Sequence, residues 1–435
     1  MLENERIVKA RKRNMKLYPL YRMVGVDIVF LYAIKMLFLT QVNGINASNV
    51  ILSVSMYALF MVILQVPATM LIEKIGYRKS AFISNVFNVI YIALLMVSTN
   101  LWWLILAEFT SAVTFSLKDV AEPSLLSASI PETDKRGNIY SKLEGKGKAR
   151  YNYLDGIANI ISGAVYVINP YLPIILALVF AIFACILSLQ FEEIKDIEKQ
   201  KEAKKENIVK EYLNDMKVSF KFILKSKRLR GLLLFSGIMW AVVCLVSEYK
   251  DTILVEIGTS PMVIGIVGSI LGIVSAISSK KQVEFHNKFK NRTLTYIGIS
   301  FVISIILSGL IVTLKVPFII ELVMVVLAFI VINADNSMSL ILIDRYLGNF
   351  TDNNILPKIY SAKSIVKNIF RMIVGILGSI LMAHTGSANA MLIVGIISLV
   401  VIVTLLKYMK TRVGLKPEEY KTEDIKLETI EDSVK

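Results

Sequence analysis

The chain has 435 residues, 55% of them hydrophobic, and its mean hydropathy is +0.61. Soluble proteins usually contain roughly 45–50% apolar residues, so this composition argues against a soluble protein. The formal net charge of +15 would suggest nucleic-acid binding in a soluble chain. Here no module combining aromatic and basic residues is visible, and the positive charge lies in the connections between apolar runs.

Apolar runs of about 20 residues, the length that crosses a bilayer as helix, recur from the first to the last quarter of the chain. They predict an all-α membrane protein with twelve transmembrane helices. The predicted spans are residues 18–42, 47–73, 79–98, 101–129, 138–168, 171–190, 231–256, 261–279, 293–313, 316–345, 355–383 and 388–410. The first run lacks a small-residue cleavage site, so we expect a retained helix rather than a signal peptide.

Lysine and arginine are concentrated in alternate connections between these spans, as at residues 74–79, 135–136 and 280–292. The intervening connections are short and nearly uncharged. By the positive-inside rule, the basic connections are cytoplasmic. This predicts a multi-pass protein of the cell membrane with both termini in the cytoplasm.

A charged tract at residues 191–230 separates two apolar regions of similar length, residues 1–190 and 231–410, and a charged tail follows at 411–435. We therefore predict two six-helix bundles joined by a cytoplasmic linker. Apolar residues recur every three or four positions in the tract. This pattern indicates an amphipathic helix on the inner leaflet, with a solvated linker helix as the alternative.

A short repeat indicates that the two bundles are pseudo-symmetric. Ile139-Tyr140-Ser141 opens the fifth span and Ile359-Tyr360-Ser361 opens the eleventh. Each tripeptide is followed by a basic stripe at four-residue spacing. The stripes are Lys142, Lys146 and Arg150 in the first copy and Lys363, Lys367 and Arg371 in the second.

These stripes have two interpretations: a vestibule that gathers an anionic substrate, or side chains that extend to lipid headgroups. We favour headgroup contact for the lysines. Arg150 and Arg371 lie deeper in their spans, and we expect them in buried pairs.

The connection between the second and third spans reads Leu71-Ile72-Glu73-Lys74-Ile75-Gly76-Tyr77-Arg78-Lys79. It resembles the Gly-x-Leu-x-Asp-Arg-x-Gly-Arg-Arg loop of the major facilitator superfamily (MFS). Glu73 takes the place of the aspartate, Gly76 matches the second glycine, Arg78 and Lys79 cover the basic end, and Thr69 replaces the first glycine. The resemblance implies that Glu73, Gly76, Arg78 and Lys79 form a gating loop that pins the two halves together in one state.

The same resemblance implies that helices one, four, seven and ten line a central cavity. Those spans carry most of the mid-span ionisable residues, which are costly in lipid and should face protein or water. The candidate cavity residues are Lys35, Lys118, Asp155, Asn159, Glu248, Lys250, Asp251, Asp335 and Asn336. An internal salt bridge between Asp27 and Lys35 is an equally good interpretation of that pair.

Asp119 and Glu122 lie three residues apart on one helical face, and Pro123 follows. Two close carboxylates in a partly dry site should not both stay ionised. We therefore predict that Asp119 and Glu122 are proton-coupling residues. Asp27, a carboxylate within the first span, is the third candidate for this role.

The predicted function is secondary active transport of a polar small solute by alternating access, coupled to protons. The alternative is a transporter-like membrane sensor or anchoring protein without net transport. No nucleotide, metal or nucleophile motif is visible, so we predict no enzyme activity and no cofactor. The expected partners are the solute, protons and the lipid bilayer, with no nucleic acid, and the protein is expected to be a monomer.

Overall fold

The computed structural model of the protein describes residues 2–26, 28–131, 136–194, 227–314, 316–350 and 356–409. Within these ranges the chain is helical and contains no strand. The predicted amphipathic helix of the linker, the charged tail after Met409 and the candidate proton residue Asp27 lie outside the described residues.

Thirteen helices follow one another along the described ranges. They are α1 (Leu2–Gly25), α2 (Tyr32–Val42, which combines 3₁₀, α and π turns), α3 (Ala47–Ile75), α4 (Tyr77–Val97), α5 (Leu101–Ser129), α6 (Arg136–Ile168), α7 (Leu172–Leu189), α8 (Lys227–Glu256), α9 (Pro261–Phe289), α10 (Thr293–Thr313), α11 (Phe318–Phe350), α12 (Leu356–Thr385) and α13 (Ser387–Met409).

Nine of the described helices are long and apolar enough to cross a membrane: α3, α4 and α7 to α13. The α5 and α6 helices are also long enough to cross a membrane, but each carries several charged side chains and neither is among the nine. The first predicted span is divided between α1 and the short apolar α2. The all-α membrane fold is thus confirmed, whereas the count of twelve spans stays a prediction.

The first predicted span, residues 18–42, is not one continuous helix. The α1 helix begins at Leu2, and Ala10, Asn14, Tyr18 and Tyr21 are buried along one face of it. It ends at Gly25, and the chain turns through Phe30, whose φ is 72°, before α2 begins. The break leaves carbonyl groups of the last turn of α1 to be satisfied by side chains.

The described residues divide into two compact units. The first contains α1 to α7, Ser260 and the beginning of α9 up to Ser269, and the second contains α8, the rest of α9 and α10 to α13.

Six helix pairings occur in both units. In the first unit α1 packs on α5, α6 and α7, α4 packs on α5 and α7, and α6 packs on α7. In the second unit α8 packs on α11, α12 and α13, α10 packs on α11 and α13, and α12 packs on α13. The repeated pairing is what a duplicated six-helix bundle requires.

The charged tract begins with a buried segment. Phe191 and Ile194 are 1% and 6% exposed, and the Phe191 ring lies edge-on to Tyr21 with ring centroids 5.2 Å apart. Asn14 donates to the carbonyl of Glu192 and accepts from its amide. Residues 191–194 therefore pack on the first unit, although the charge of the tract predicts a linker from residue 191.

Candidate functional site

Helix α1 carries a cluster of polar side chains toward its C-terminal end. Tyr18, Tyr21 and Arg22 recur at helical spacing and point toward α5 and α6. Their partners are Glu122 on α5 and Glu144 on α6. We call these five residues the α1 network.

Glu122 is fully enclosed in the α1 network, with a side chain 0% exposed. Its carboxylate accepts a hydrogen bond of 2.6 Å from the Tyr21 hydroxyl and one of 2.8 Å from Arg22 Nη1. Asn85 on α4 donates to the Tyr21 oxygen at 2.7 Å. Burying a carboxylate costs free energy unless it is paired, and Arg22 supplies the paired cation here.

Arg22 binds a second carboxylate at the same time. Its Nε donates to Glu144 at 3.0 Å, and the Tyr18 hydroxyl donates to the other Glu144 oxygen at 2.7 Å. The Arg22 and Glu144 side chains are each 25% exposed. One guanidinium therefore joins three helices, and its two carboxylate partners differ in their access to solvent.

Gly147 on α6 explains how α6 approaches Arg22 so closely. A Cβ at this position would lie 2.7 Å from Arg22 Cβ, closer than packed atoms tolerate. The glycine lets the stem of Arg22 lie directly against the α6 backbone, which brings Glu144 within reach. Gly147 therefore serves the packing of α6 on α1.

Lys118 of α5 binds the C-terminal end of α1, where the chain breaks from helical geometry. Its side chain is 3% exposed, and Nζ donates to the Gly25 carbonyl at 2.6 Å. A cation at a helix C-terminus satisfies an unpaired carbonyl and interacts favourably with the helix dipole. This predicted cavity residue thus holds the end of α1 on α5.

Asp119 lies one turn before Glu122 but in a different environment. Its side chain is exposed, whereas Glu122 is buried. The two predicted proton residues therefore form a solvent-facing and an enclosed position on the same helix.

Lys35 forms a second ion pair in the first unit. Its Nζ lies 2.9 Å from Glu108 Oε1 and 3.3 Å from the Tyr91 hydroxyl. The side chains of Lys35 and Glu108 are 15% and 4% exposed. Glu108 of α5 therefore pairs with Lys35 of α2.

Asp155 and Asn159 share a face of α6, as predicted. Asn159 Nδ2 donates to Asp155 Oδ2 at 3.3 Å, and Asn159 is 5% exposed. These side chains are not members of the α1 network.

The candidates of the second unit occur in separate small groups. Lys250 pairs with its neighbour Asp251 at 2.7 Å, while Glu248, one turn earlier on α8, is partly buried. On α11, Asp335 is 7% exposed and accepts a hydrogen bond of 2.6 Å from Ser300 of α10. Asn336 beside it is partly buried.

The predicted gating loop contains a sharp turn at Gly76, whose φ is +91°. The amides of Tyr77 and Arg78 donate to the Glu193 carboxylate at 2.9 and 2.7 Å, so Glu193 caps the N-terminus of α4. A Cβ on Gly76 would lie 2.9 Å from the Glu193 carboxyl group.

The carboxylate that caps α4 thus comes from the beginning of the charged tract. Glu73 and Lys79 of the loop are exposed. The Arg78 guanidinium donates to the Leu189 carbonyl at 2.9 Å.

The two basic stripes differ. Lys142, Lys146 and Arg150 are all exposed, so the expectation that Arg150 is buried is wrong. In the second copy, Lys363 is 6% exposed and pairs with Asp344 of α11. Lys367 lies with Nζ 3.9 Å from the centroid of the Trp240 ring. The headgroup interpretation therefore does not fit the lysines of the second copy.

Comparison with known proteins identifies the family. A family model described as Major Facilitator Superfamily matches residues 23–348. The chain belongs to the Major Facilitator Superfamily. No curated protein matches the sequence significantly. The apolar helices and the family together make the chain a multi-pass membrane protein of a transporter family.

Solved MFS structures share the fold at low sequence identity. The nucleoside transporter NupG is 12% identical with a TM-score of 0.69, and the match covers 92% of this chain and 99% of that one. A D-xylose–proton symporter is 12% identical with a TM-score of 0.63, covering 95% and 98%. A POT family transporter in complex with a thioalcohol-conjugated peptide is 14% identical with a TM-score of 0.62, covering 93% and 96%.

Several residues of this site are absent from the sequence-based candidates: Tyr21, Arg22, Glu144 and Glu193. Arg22 lies inside the predicted first span, and an arginine there is itself a signal for a buried partner. Glu144 lies within the basic stripe of the fifth span, where the surrounding lysines hide it. Nothing local distinguishes Glu193 from the other acidic residues of its tract.

Proposed function

We propose that this protein is a proton-coupled secondary transporter that moves a polar small solute across the cell membrane by alternating access. The observation that carries this proposal is the enclosed Glu122 carboxylate, held by an arginine that a second carboxylate also binds. Both termini are proposed to be cytoplasmic, in keeping with the basic connections.

Protonation of Glu122 would change the contacts of Arg22. A neutral carboxyl group no longer attracts the guanidinium, so Arg22 would be held mainly by Glu144 on α6. Because Glu122 is on α5 and Glu144 is on α6, one proton would shift α1 between two neighbouring helices. A protonation that biases two arrangements of packed helices is a physical means of coupling.

We propose that the proton reaches Glu122 by way of Asp119. It faces solvent one turn before Glu122, so it is placed to pass protons between water and the enclosed carboxylate. Lys118 beside it fixes the end of α1. We propose Asp119 as the relay, Glu122 as the coupling carboxylate, and Arg22 as the residue that transmits the change.

The solute class rests on the charges of the spanning helices. Lys35, Lys250 and their carboxylate partners are partly buried polar groups suited to a polar solute rather than a purely apolar one. The similar folds of transporters for nucleosides, D-xylose and peptides are compatible with this class.

The test uses purified protein in liposomes with a pH-sensitive dye inside. Nucleosides, pentoses, dipeptides and organic acids are added under an imposed pH gradient. We expect one class to drive proton movement and to accumulate. In Glu122→Gln the accumulation should be lost while exchange of internal for external solute continues, because exchange needs no net proton movement.

Glu284→Gln is the matched control, because Glu284 is exposed on α9. It should accumulate solute like the parent protein. Full accumulation by Glu122→Gln would show that this carboxylate does not couple transport. Ligand binding without flux in the parent protein would instead support the sensor alternative.

A further inference from the structure

The second basic stripe forms a row of three cations inside the second unit. Lys363, Lys367 and Arg371 follow one another at four-residue intervals, so they lie along one face of α12. Lys363 is 6% exposed and the other two are partly buried. Burying like charges side by side costs free energy unless anions face them.

The middle cation is held by an aromatic ring. Lys367 Nζ lies 3.9 Å from the centroid of Trp240 on α8, well within the range of a cation–π interaction. Among the described residues, the ammonium group of Lys367 contacts this ring and forms no ion pair. The ring fixes the position of the ammonium while leaving its N–H donors available to an oxyanion.

One end of the row is paired with a carboxylate, because Asp344 of α11 binds Lys363. That pair accounts for the charge of Lys363. In the described part of the chain, the positive charge of Lys367 at the middle of the row has no carboxylate in an ion pair with it.

Solvent reaches the Lys363 end of the row. The Asp344 side chain is 45% exposed and Tyr360 is 37% exposed. The basic connections of the chain predict that this end of α12 is cytoplasmic. A charged solute can thus approach the row from water.

We propose that Lys367, with Arg371 beside it and Trp240 against it, binds the carboxylate or phosphate group of an organic anion. This inference rests on the proposed transport function, because it names the chemical class of the transported solute. Two cations about one helical turn apart can each donate to one oxyanion. Trp240 holds the Lys367 ammonium, and Asp344 holds Lys363 aside.

The experiment measures binding in phosphatidylcholine vesicles by tryptophan fluorescence. Trp102 and Trp103 are exposed and are replaced by phenylalanine, so that Trp240 is the remaining reporter. Butyrate and propyl phosphate are the probes, and butyramide is the neutral control of the same shape as butyrate. We expect a saturable change with both anions and none with butyramide.

Substitutions then locate the site. Lys367→Gln should weaken anion binding ten-fold or more, and Arg371→Gln should also weaken it. Lys367→Arg should retain binding, because the charge is kept. Lys407→Gln, an exposed lysine of α13 in the same unit, should bind like the parent. If Lys367→Gln does not yield folded protein, Arg371→Gln tests the same proposal.

Three results would overturn the proposal. The first is that Lys367→Gln or Arg371→Gln binds the anions with the affinity of the parent protein. The others are that butyramide binds as well as butyrate, or that neither anion gives a saturable change. A change that requires phosphatidylglycerol and does not occur with the soluble anions would show a lipid headgroup site instead. Anion binding is measured without a pH gradient. The binding result can therefore be interpreted even if the protein shows no proton-coupled transport.

Discussion

The two units hold their buried charges in different ways. In the first unit, Arg22 contacts carboxylates on two other helices, so α1, α5 and α6 share one network. In the second unit, Lys250 pairs with the adjacent Asp251 of the same helix, and Lys363 of α12 pairs with Asp344 of α11. A change of charge at Arg22 therefore affects contacts among three helices, whereas the Lys250–Asp251 pair lies within a single helix.

This contrast suggests a division of roles within one duplicated fold. Six helix pairings occur in both units, so much of the scaffold is shared. The buried charges differ: the first unit has an enclosed carboxylate, and the second has a row of cations.

The largest expected effect is in the first unit. Arg22→Met leaves Glu122 buried without its cation, which should lower the free energy of unfolding by about 3 kcal/mol, since breaking buried pairs costs ~3–5 kcal/mol. We place the loss at the lower end of that range because 25% of the Arg22 side chain is exposed. Thermal unfolding monitored by size-exclusion chromatography measures it.

The double variant Arg22→Met with Glu122→Gln tests the cause. It removes both charges, so most of the lost stability should return. If the double variant is as unstable as the two single losses combined, the pair is not coupled and the α1 network does not act as a unit.

A smaller effect is expected where α6 meets α1. Gly147→Ala places a methyl group against Arg22 and should lower stability by about 1–3 kcal/mol through overpacking. Gly145→Ala on the same helix is the control, because nothing lies within 4 Å of its Cβ position. That variant should be neutral or more stable by up to about 1 kcal/mol, as alanine favours helix.

Thermal unfolding of these two alanine variants can be compared directly. Equal stability would mean that the close approach of α6 to Arg22 does not matter, and the sharing of Arg22 between Glu122 and Glu144 would then need another explanation.

The smallest stability effect compares the two basic stripes. Lys363→Gln removes the partner of Asp344 and should cost about 1 kcal/mol, a modest loss because that carboxylate is 45% exposed. The equivalent Lys142→Gln of the first unit should fall within about 0.5 kcal/mol of the parent, because Lys142 is exposed. Equal effects on the unfolding temperature would remove the structural distinction between the stripes.

Much of the fold was predictable from the sequence because lipid imposes a simple rule on helices. The apolar runs give the positions of α3, α4 and α7 to α13, and the repeated Ile-Tyr-Ser tripeptide marks the equivalent helices α6 and α12. The break after Gly25 was not predictable, because it depends on Lys118, which is distant in the chain.

The candidate site was predictable only in part, for the same physical reason. Glu122 and Lys118 stand out as charges within an apolar run, but their partners Arg22 and Gly25 are determined by tertiary packing. The two basic stripes show most clearly what the sequence alone does not predict. Their residues have the same spacing, but those of α6 are exposed and those of α12 are at least partly buried. The difference arises because Asp344 and Trp240, which contact the α12 stripe, come from other helices.

The division of roles is tested most directly by comparing Glu122→Gln and Lys367→Gln in two assays, anion binding without a gradient and accumulation driven by a pH gradient. We expect Glu122→Gln to bind butyrate like the parent and to lose accumulation. Lys367→Gln should lose binding by ten-fold or more. Accumulation by Glu122→Gln that keeps its full dependence on the imposed pH gradient would contradict proton coupling at the enclosed carboxylate of the first unit.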